Sequence, residues 1–105
     1  MKSNNTEKKT LKRIAHHLDT VVTIGDQGLS EGVIAETNRA LSDHELIKVR
    51  ISSIDREDRE KTGGELANTC GAEIVQRIGK IIVLFKPNRK PNVKLSNLHR
   101  YSGGA

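Results

Sequence analysis

Short runs of β-branched and aliphatic residues alternate along this chain with segments of helical periodicity. Each run is either continuously apolar or alternates between apolar and polar residues, which is typical of strands. The predicted strands are Val21–Ile24, Leu46–Ile51, Glu73–Ile78 and Ile81–Lys86. Because strand–helix–strand units form right-handed crossovers, we expect the first three strands to be parallel. The last two are joined by Gly79-Lys80, which predicts a hairpin that adds an antiparallel strand.

Three helices are predicted before and between these strands. They cover residues 7–18, Ser30 to about Ser42, and Arg56 to about Cys70. The first has apolar residues at the i, i+3, i+4, i+7 spacing of an amphipathic helix. The third has Asp55 as an N-cap and Gly71 as a left-handed C-cap. Its interior contains Gly63 and Gly64, which cost about 1 kcal/mol each relative to alanine, and the sequence leaves the continuity of this helix open.

These elements predict one domain, because a chain of 105 residues is too short for two separate cores. We expect an α/β two-layer sandwich of order α-β-α-β-α-β-β, with a four-stranded mixed sheet and its helices largely on one face. Residues 7–86 form this domain. Polar residues 1–6 are predicted to be a disordered start, and residues 87–105, rich in Asn, Pro, Gly and basic residues, a disordered tail.

Positive charge is concentrated at the two ends of the chain. Residues 1–13 hold five basic residues and one acidic residue, and residues 87–105 hold four basic residues and no acid. Residues 14–86 hold nine basic and twelve acidic residues, so the body is mildly acidic although the net charge is +5. This asymmetry favours a polyanionic partner such as nucleic acid, and the alternative is a charged surface that only aids solubility.

Several function classes find no support in the residues. No apolar run is long enough to span a membrane, and the N-terminus has no secretory signal pattern. The single cysteine, Cys70, cannot form an internal disulfide, which suggests the reducing cytoplasm. His16 and His17 are adjacent and diverge on a helix, so we expect no metal and no cofactor. No nucleophile elbow or nucleotide-binding fingerprint is present, and we expect no enzyme activity.

The segment Gly25-Asp26-Gln27-Gly28 joins a predicted strand to a helix N-terminus. Such a junction presents backbone N–H groups to an anion, and glycine lets a phosphodiester backbone approach closely. A Gly-x-x-Gly loop also clamps the nucleic-acid backbone in KH domains. Two glycines can equally serve a tight turn alone, and Asp26 places a carboxylate in the loop. The residues by themselves leave both readings open.

Other charged groups also permit two readings. A cationic cluster on the predicted strands and their hairpin comprises Lys48, Arg50, Arg77, Lys80 and Lys86. It can contact phosphates or merely protect strand edges. The carboxylates of residues 55–60 are interleaved with basic residues, which favours a solvated helix start over acid–base chemistry or Mg²⁺. Two alternatives to nucleic-acid binding remain: a protein adaptor that docks a basic partner on its acidic helices, and a small phosphate-handling enzyme.

Four motifs in order resemble the bacterial YhbY family, the stand-alone form of the CRM (chloroplast RNA splicing and ribosome maturation) domain. Together they cover about residues 8–90. They are Leu11-Lys12-x-x-Ala15-His16, Val22-x-Ile24-Gly25-x-x-Gly28-Leu29, His44-Glu45-Leu46-Ile47-Lys48-Val49 and Val75-Gln76-x-Ile78-Gly79-Lys80, the last continued by Val83-Leu84-Phe85-Lys86. The sequence departs from the family at Asp26 and in the third helix, where Lys61-Thr62-Gly63-Gly64-Glu65 replaces aliphatic residues.

The resemblance implies an RNA-binding module similar to the C-terminal domain of translation initiation factor three. It also implies association with precursors of the large ribosomal subunit, as an assembly factor, and we expect the protein to be a monomer. Few aromatic residues are present (one Phe, one Tyr, no Trp), so recognition of RNA shape and backbone is expected over base stacking. The loop and the neighbouring basic residues are the expected RNA contacts. They are Lys12, Arg13, His16, Gly25, Asp26, Gln27, Gly28, Lys48, Arg50, Arg77 and Lys80.

Overall fold

Helices and strands follow one another in the predicted order in the computed structural model, which describes residues 5–88 and 96–97. The predicted bounds of β2, α3 and β3 are confirmed, and the other elements differ from prediction by a few residues at their ends. The elements are α1 (Asn5–Ala15), β1 (Thr20–Ile24), α2 (Glu31–His44), β2 (Leu46–Ile51), α3 (Arg56–Cys70), β3 (Glu73–Ile78) and β4 (Ile81–Phe85).

The ends of α2 and α3 are fixed by local hydrogen bonds. Ser30 caps α2, its hydroxyl oxygen accepting a hydrogen bond from the Val33 amide at 3.1 Å. Asp55 caps α3 in the same way, accepting from the Glu57 amide at 2.9 Å. At the other end of α3, Gly71 has a φ of 66° and forms the predicted left-handed cap. The helix α1 begins at Asn5, so the predicted disordered start does not extend through residues 5 and 6.

The sheet has the strand order β1-β2-β4-β3. β1 pairs parallel with β2, and β4 pairs antiparallel with both β2 and β3. The first three strands therefore run in one direction, as predicted. β4 is the last strand in the sequence and a central strand in the sheet, a position that the sequence analysis did not specify.

The two faces of the sheet bury different helices. Ile47 and Val49 of β2 belong to the core cluster formed with α2 and α3. Leu46 belongs to a second cluster in which α1 supplies Leu11 and Ile14. Because successive residues of a strand point to opposite faces, α1 covers one end of the face that α2 and α3 leave open. The predicted mixed sheet is thus confirmed, with α2 and α3 on one face, whereas α1 lies on the other face and departs from a strict two-layer arrangement.

Gly63 and Gly64 do not interrupt α3, which is continuous from Arg56 to Cys70. A Cβ at Gly63 would lie 3.3 Å from Ile82 Cδ1 and 3.4 Å from Arg77 Nη1, whereas a Cβ at Gly64 would meet nothing within 4 Å. Gly63 therefore lets α3 pack closely on the sheet, and its packing role compensates for its low helix propensity. Gly64 has no such contact.

The chain after β4 differs from the predicted disordered tail at three residues. Ser96 and Asn97 are 0% and 7% exposed. The buried carboxylate of Glu45 accepts hydrogen bonds from the Ser96 hydroxyl at 2.6 Å and from the Asn88 amide at 2.9 Å. Asn97 Nδ2 donates to the Leu46 carbonyl oxygen at 2.6 Å. Polar residues are buried here because each finds a partner. Residues 89–95 and 98–105 of the predicted tail, and residues 1–4 of the predicted start, lie outside the described residues.

Candidate functional site

Three connections meet at one end of the sheet. The amide of Ser52 donates to the carbonyl oxygen of Ile24 at 2.9 Å, which holds the end of β2 beside the end of β1. The amide of Ile51 donates to the carbonyl oxygen of Lys80 at 2.8 Å, which holds the β3–β4 turn on the other side. We refer to this region as the loop end; it comprises residues 25–28, 52–55 and 79–80 and the first turn of α3.

Gly28 has a structural role in the loop. Its amide donates to the Gly25 carbonyl oxygen at 3.0 Å and closes a four-residue turn. Its φ is 72°, a left-handed conformation that favours glycine. The Gly28 amide is therefore already hydrogen-bonded within the protein. This glycine is explained by turn geometry alone.

Gly25 has no comparable structural explanation. It is exposed, its φ lies outside the left-handed region, and a Cβ built on it would meet nothing within 4 Å. Neither backbone conformation nor packing therefore requires a glycine at this position. A side chain is absent where the loop surface is open, which is the geometry that close approach of a ligand backbone would need.

A cavity of about 290 Å³ lies between the loop and α3. Its lining includes the carboxylates of Asp26 and Asp58, together with Ser53 and Thr62, and no basic side chain. An anion would be repelled from this cavity, since two like charges there raise the energy of a third. A phosphate that contacts Gly25 is therefore expected on the outer, solvent-facing side of the loop.

A second cavity of about 290 Å³ opens on the other side of Ile51, between the start of α3 and the β3–β4 turn. We refer to it as the arginine cavity. Its charged lining residues are four cations and one acid: Arg56, Arg59, Arg77, Lys80 and Glu60. Arg77 and Lys80 were predicted as site residues. Arg56 and Arg59 were not, because their interleaving with acids indicated a solvated helix start, although their i, i+3 spacing places them on neighbouring parts of one face.

The remaining predicted basic residues lie elsewhere. Along β2, Lys48 and Arg50 alternate with the residues that pack against α2 and α3. They therefore project from the opposite face of the sheet, which α1 partly covers. Arg77 pairs with Ile82 and projects from the opposite face, beside Gly63. Lys86 lies far from both, with its Nζ donating to the Cys70 carbonyl oxygen at 2.9 Å. The cationic cluster predicted on the strands is therefore split between two faces.

The basic residues of α1 form a separate exposed surface. Lys12, Arg13 and His16 are all exposed, on the side of α1 opposite to its buried residues. The His16 ring lies edge-on to His17, with centroids 5.7 Å apart. Since α1 packs on the same face of the sheet from which Lys48 and Arg50 project, these five residues share one side of the molecule. The Gly25–Gly28 loop follows the end of β1, and Ile51 separates the cavity beneath it from the arginine cavity.

Cys70 lies at the opposite end of α3 and is buried. Burial raises the pKa of its thiol, and the nearby Lys86 ammonium partly opposes this effect. A buried, protonated thiol is a poor nucleophile. In the part of the chain that the structure describes, no group of three or more His, Cys, Asp or Glu side chains is placed to hold a metal ion. Within the same residues, no helix is both long and apolar enough to cross a membrane.

Comparison with known proteins gives consistent matches. The family model of the CRS1/YhbY (CRM) domain matches residues 4–86. A protein of Pseudomonas aeruginosa named "Probable RNA-binding protein" is 45% identical over 97 residues, which cover 92% of this chain and 93% of that protein. A Haemophilus influenzae protein named "RNA-binding protein" is 43% identical over 89 residues, covering 85% of this chain and 90% of that one.

The fold also has a solved counterpart. The solution structure of a hypothetical Staphylococcus aureus protein, named as an RNA-binding candidate, superposes with a TM-score of 0.75 and 28% sequence identity. The match covers 85% of this chain and 93% of that protein.

Proposed function

This chain belongs to the CRS1/YhbY (CRM) domain family, and from that premise we propose that it is a non-enzymatic RNA-binding protein whose interface is centred on the loop end. Its family relatives in Pseudomonas and Haemophilus carry RNA-binding names. The observation that carries the proposal is Gly25, an exposed glycine that neither packing nor a positive φ explains. The basic side chains of the arginine cavity lie on the other side of Ile51, and a phosphodiester backbone can approach Gly25 closely.

The proposed contacts are mainly to the RNA backbone. The outer surface of the Gly25–Gly28 loop would approach a phosphate, with the backbone amides of the exposed residues Asp26 and Gln27 as donors. Lys48 and Arg50 on one side, and Arg77 and Lys80 on the other, would neutralise adjoining phosphates, with Lys12, Arg13 and His16 extending the surface along α1. The chain contains one Phe and one Tyr, so stacking platforms are scarce and shape-directed recognition of structured RNA is favoured.

The finer part of the proposal concerns the biological target. The family resemblance supports binding to the RNA of large ribosomal subunit precursors, as a cytoplasmic, monomeric assembly factor. Sedimentation of cell extract on a sucrose gradient tests this assignment directly. The protein should migrate with large-subunit precursors and move to the top of the gradient after ribonuclease treatment. Migration only at the top of the gradient, before any treatment, would reject the ribosomal assignment.

RNA binding itself is tested by its salt dependence. If about four single-stranded phosphates are neutralised, the logarithm of the affinity should fall with the logarithm of salt concentration with a slope near −3. The measurement is fluorescence anisotropy of a labelled RNA fragment at several salt concentrations. A salt-independent affinity would contradict the proposal. Absence of any RNA binding would instead favour the adaptor alternative, in which the acidic helices dock a basic partner.

A further inference from the structure

We propose that the arginine cavity is a second phosphate subsite, which binds a phosphodiester group of the same RNA strand that contacts the Gly25–Gly28 loop. The inference rests on the proposed function, since it names where a further part of the bound strand lies. It adds Arg56 and Arg59 to the interface and gives Arg77 and Lys80 a common ligand.

Most of the positive charge that lines the cavity has no carboxylate partner. Glu60 is the single acid among the lining residues, and its Oε1 lies 3.4 Å from Arg56 Nε. Among the described residues, no carboxylate lies within ion-pair distance of Arg59, Arg77 or Lys80. Three cations thus line one cavity without a carboxylate at ion-pair distance in the described part of the chain. A guanidinium presents a planar fork of donors that matches phosphate oxygens, so a phosphate is the ligand that this lining fits best.

Arg59 is held in place by hydrogen bonds, and Arg77 lies against α3. Arg59 Nη1 donates to the carbonyl oxygens of Ser53 at 2.9 Å and Ile54 at 2.7 Å, and its Nε is buried without an acceptor. Arg77 Nη1 lies 3.4 Å from the position that a Cβ of Gly63 would occupy. The missing side chain of Gly63 therefore leaves the space in which Arg77 lies against α3. Cations that are already positioned lose less conformational entropy when they bind a ligand.

The arginine cavity lies beside the acidic cavity under the loop. Ile51 lines both the arginine cavity and the acidic cavity under the loop. Asp26 and Asp58 keep phosphates out of the acidic cavity, so a strand that contacts Gly25 can lower its electrostatic energy by continuing toward the cations beyond Ile51. The cavity lies at the start of α3, whose helix dipole adds to the attraction for an anion. Repulsion by the acidic cavity and attraction by the arginine cavity together direct the RNA strand across the loop end.

The test compares Arg77→Gln with Arg39→Gln. Both changes remove one positive charge from an exposed arginine, but Arg39 lies in the second half of α2, away from the loop end. Affinity for a labelled RNA fragment is measured by anisotropy over a range of salt, and thermal unfolding checks that both variants fold. Arg77→Gln should weaken binding at least about fivefold and reduce the steepness of the salt slope by about 0.7. Arg39→Gln should stay within about twofold of the wild type.

A double-mutant cycle with Lys80→Gln tests whether one phosphate is shared. If Arg77 and Lys80 contact the same group, the double variant should lose less affinity than the product of the two single losses. Equal small losses in Arg77→Gln and Arg39→Gln would overturn the subsite together with the contact assigned to Arg77, and RNA binding by the wild type would still support binding at the loop. Independent losses in the cycle would overturn the shared phosphate. Absence of wild-type binding would overturn both proposals.

Discussion

Polar groups at the two ends of the central strand β2 differ in whether they have partners within the protein. We refer to the region at the start of β2 as the closed end; it is formed by Glu45, Asn88, Ser96 and Asn97. Buried polar groups there are paired within the protein. The Glu45 carboxylate accepts two hydrogen bonds, and its carbonyl oxygen accepts a third from the Lys86 amide at 2.9 Å. At the loop end, an open glycine and cations without carboxylate partners face solvent.

This difference indicates how stability and binding are distributed. Buried polar groups that lose their partners are costly, so the closed end contributes mainly to the free energy of unfolding. Exposed charges without partners contribute little to folding and remain available for a ligand. Substitutions at the two ends should therefore affect different measurements, and the predictions below test that separation.

The largest expected effect is at the closed end. Glu45→Ala removes the acceptor of the Ser96 hydroxyl and the Asn88 amide, and we expect it to lower the free energy of unfolding by about 2–3 kcal/mol. Urea unfolding measures the loss, and RNA anisotropy on the folded variant should give wild-type affinity. Glu45→Gln, which keeps an acceptor oxygen, serves as the milder control. A fold unaffected by Glu45→Ala would show that the segment around Ser96 contributes nothing to stability.

The next effect separates the two loop glycines. Gly28→Ala places a side chain at a φ of 72° and should lower the free energy of unfolding by about 1–2 kcal/mol. Gly25→Ala meets open space, so its thermal midpoint should stay the same or rise slightly. It should nevertheless weaken RNA binding at least about fivefold, which corresponds to about 1 kcal/mol, because the new Cβ keeps the phosphate from the loop.

Comparison of the Gly25→Ala and Gly28→Ala variants separates an RNA contact from a structural role. Gly28→Ala should bind normally once folded, since its amide is hydrogen-bonded to Gly25 in any case. If Gly25→Ala binds RNA with wild-type affinity, the loop is not a contact. The interface would then consist of the arginine cavity and the basic surface of α1.

The smallest effect is expected between the two ends, in the middle of α3. Gly64→Ala adds a methyl group where nothing lies within 4 Å and should raise the free energy of unfolding by about 0.5–1 kcal/mol through helix propensity. Its neighbour Gly63→Ala should be destabilising, because its Cβ would press on Ile82 and Arg77. Differential scanning calorimetry of the two variants compares them directly. Stabilisation by both would mean that the Ile82 and Arg77 side chains move aside for the methyl group of Gly63→Ala.

Much of the fold follows from local sequence patterns. The alternation of Leu46–Ile51 and the caps of α3 at Asp55 and Gly71 identify their elements without tertiary information. The position of β4 does not follow in this way, since a hairpin can add its second strand on either side of the first. Burial of Ser96 and Asn97 was also missed, because a polar segment is buried only when a distant partner, here Glu45 and Leu46, supplies its hydrogen bonds.

The candidate site was only partly visible in the sequence. The Gly25–Gly28 loop was identified by its spacing, but only φ and packing distinguish the turn-forming Gly28 from the open Gly25. Arg56 and Arg59 were not predicted as site residues, because the acids beside them in the sequence indicated a solvated helix start. The tertiary fold places them in one cavity with Arg77 and Lys80. The predicted set of contacts therefore stays a prediction, now divided among the loop, the arginine cavity and the surface of α1.

The central position of β4 also has a consequence for biosynthesis. The chain is made from its N-terminus, and β3 is joined to the rest of the sheet only through β4, residues 81–85. Until those residues have been synthesised, β1–β2 and β3 cannot form one hydrogen-bonded sheet, and the apolar faces of α2 and α3 lack part of their cover. Folding is therefore expected to occur late in synthesis and as a single cooperative step. A chain that ends before Ile81 would contain no stably folded part of the domain and would be prone to aggregate.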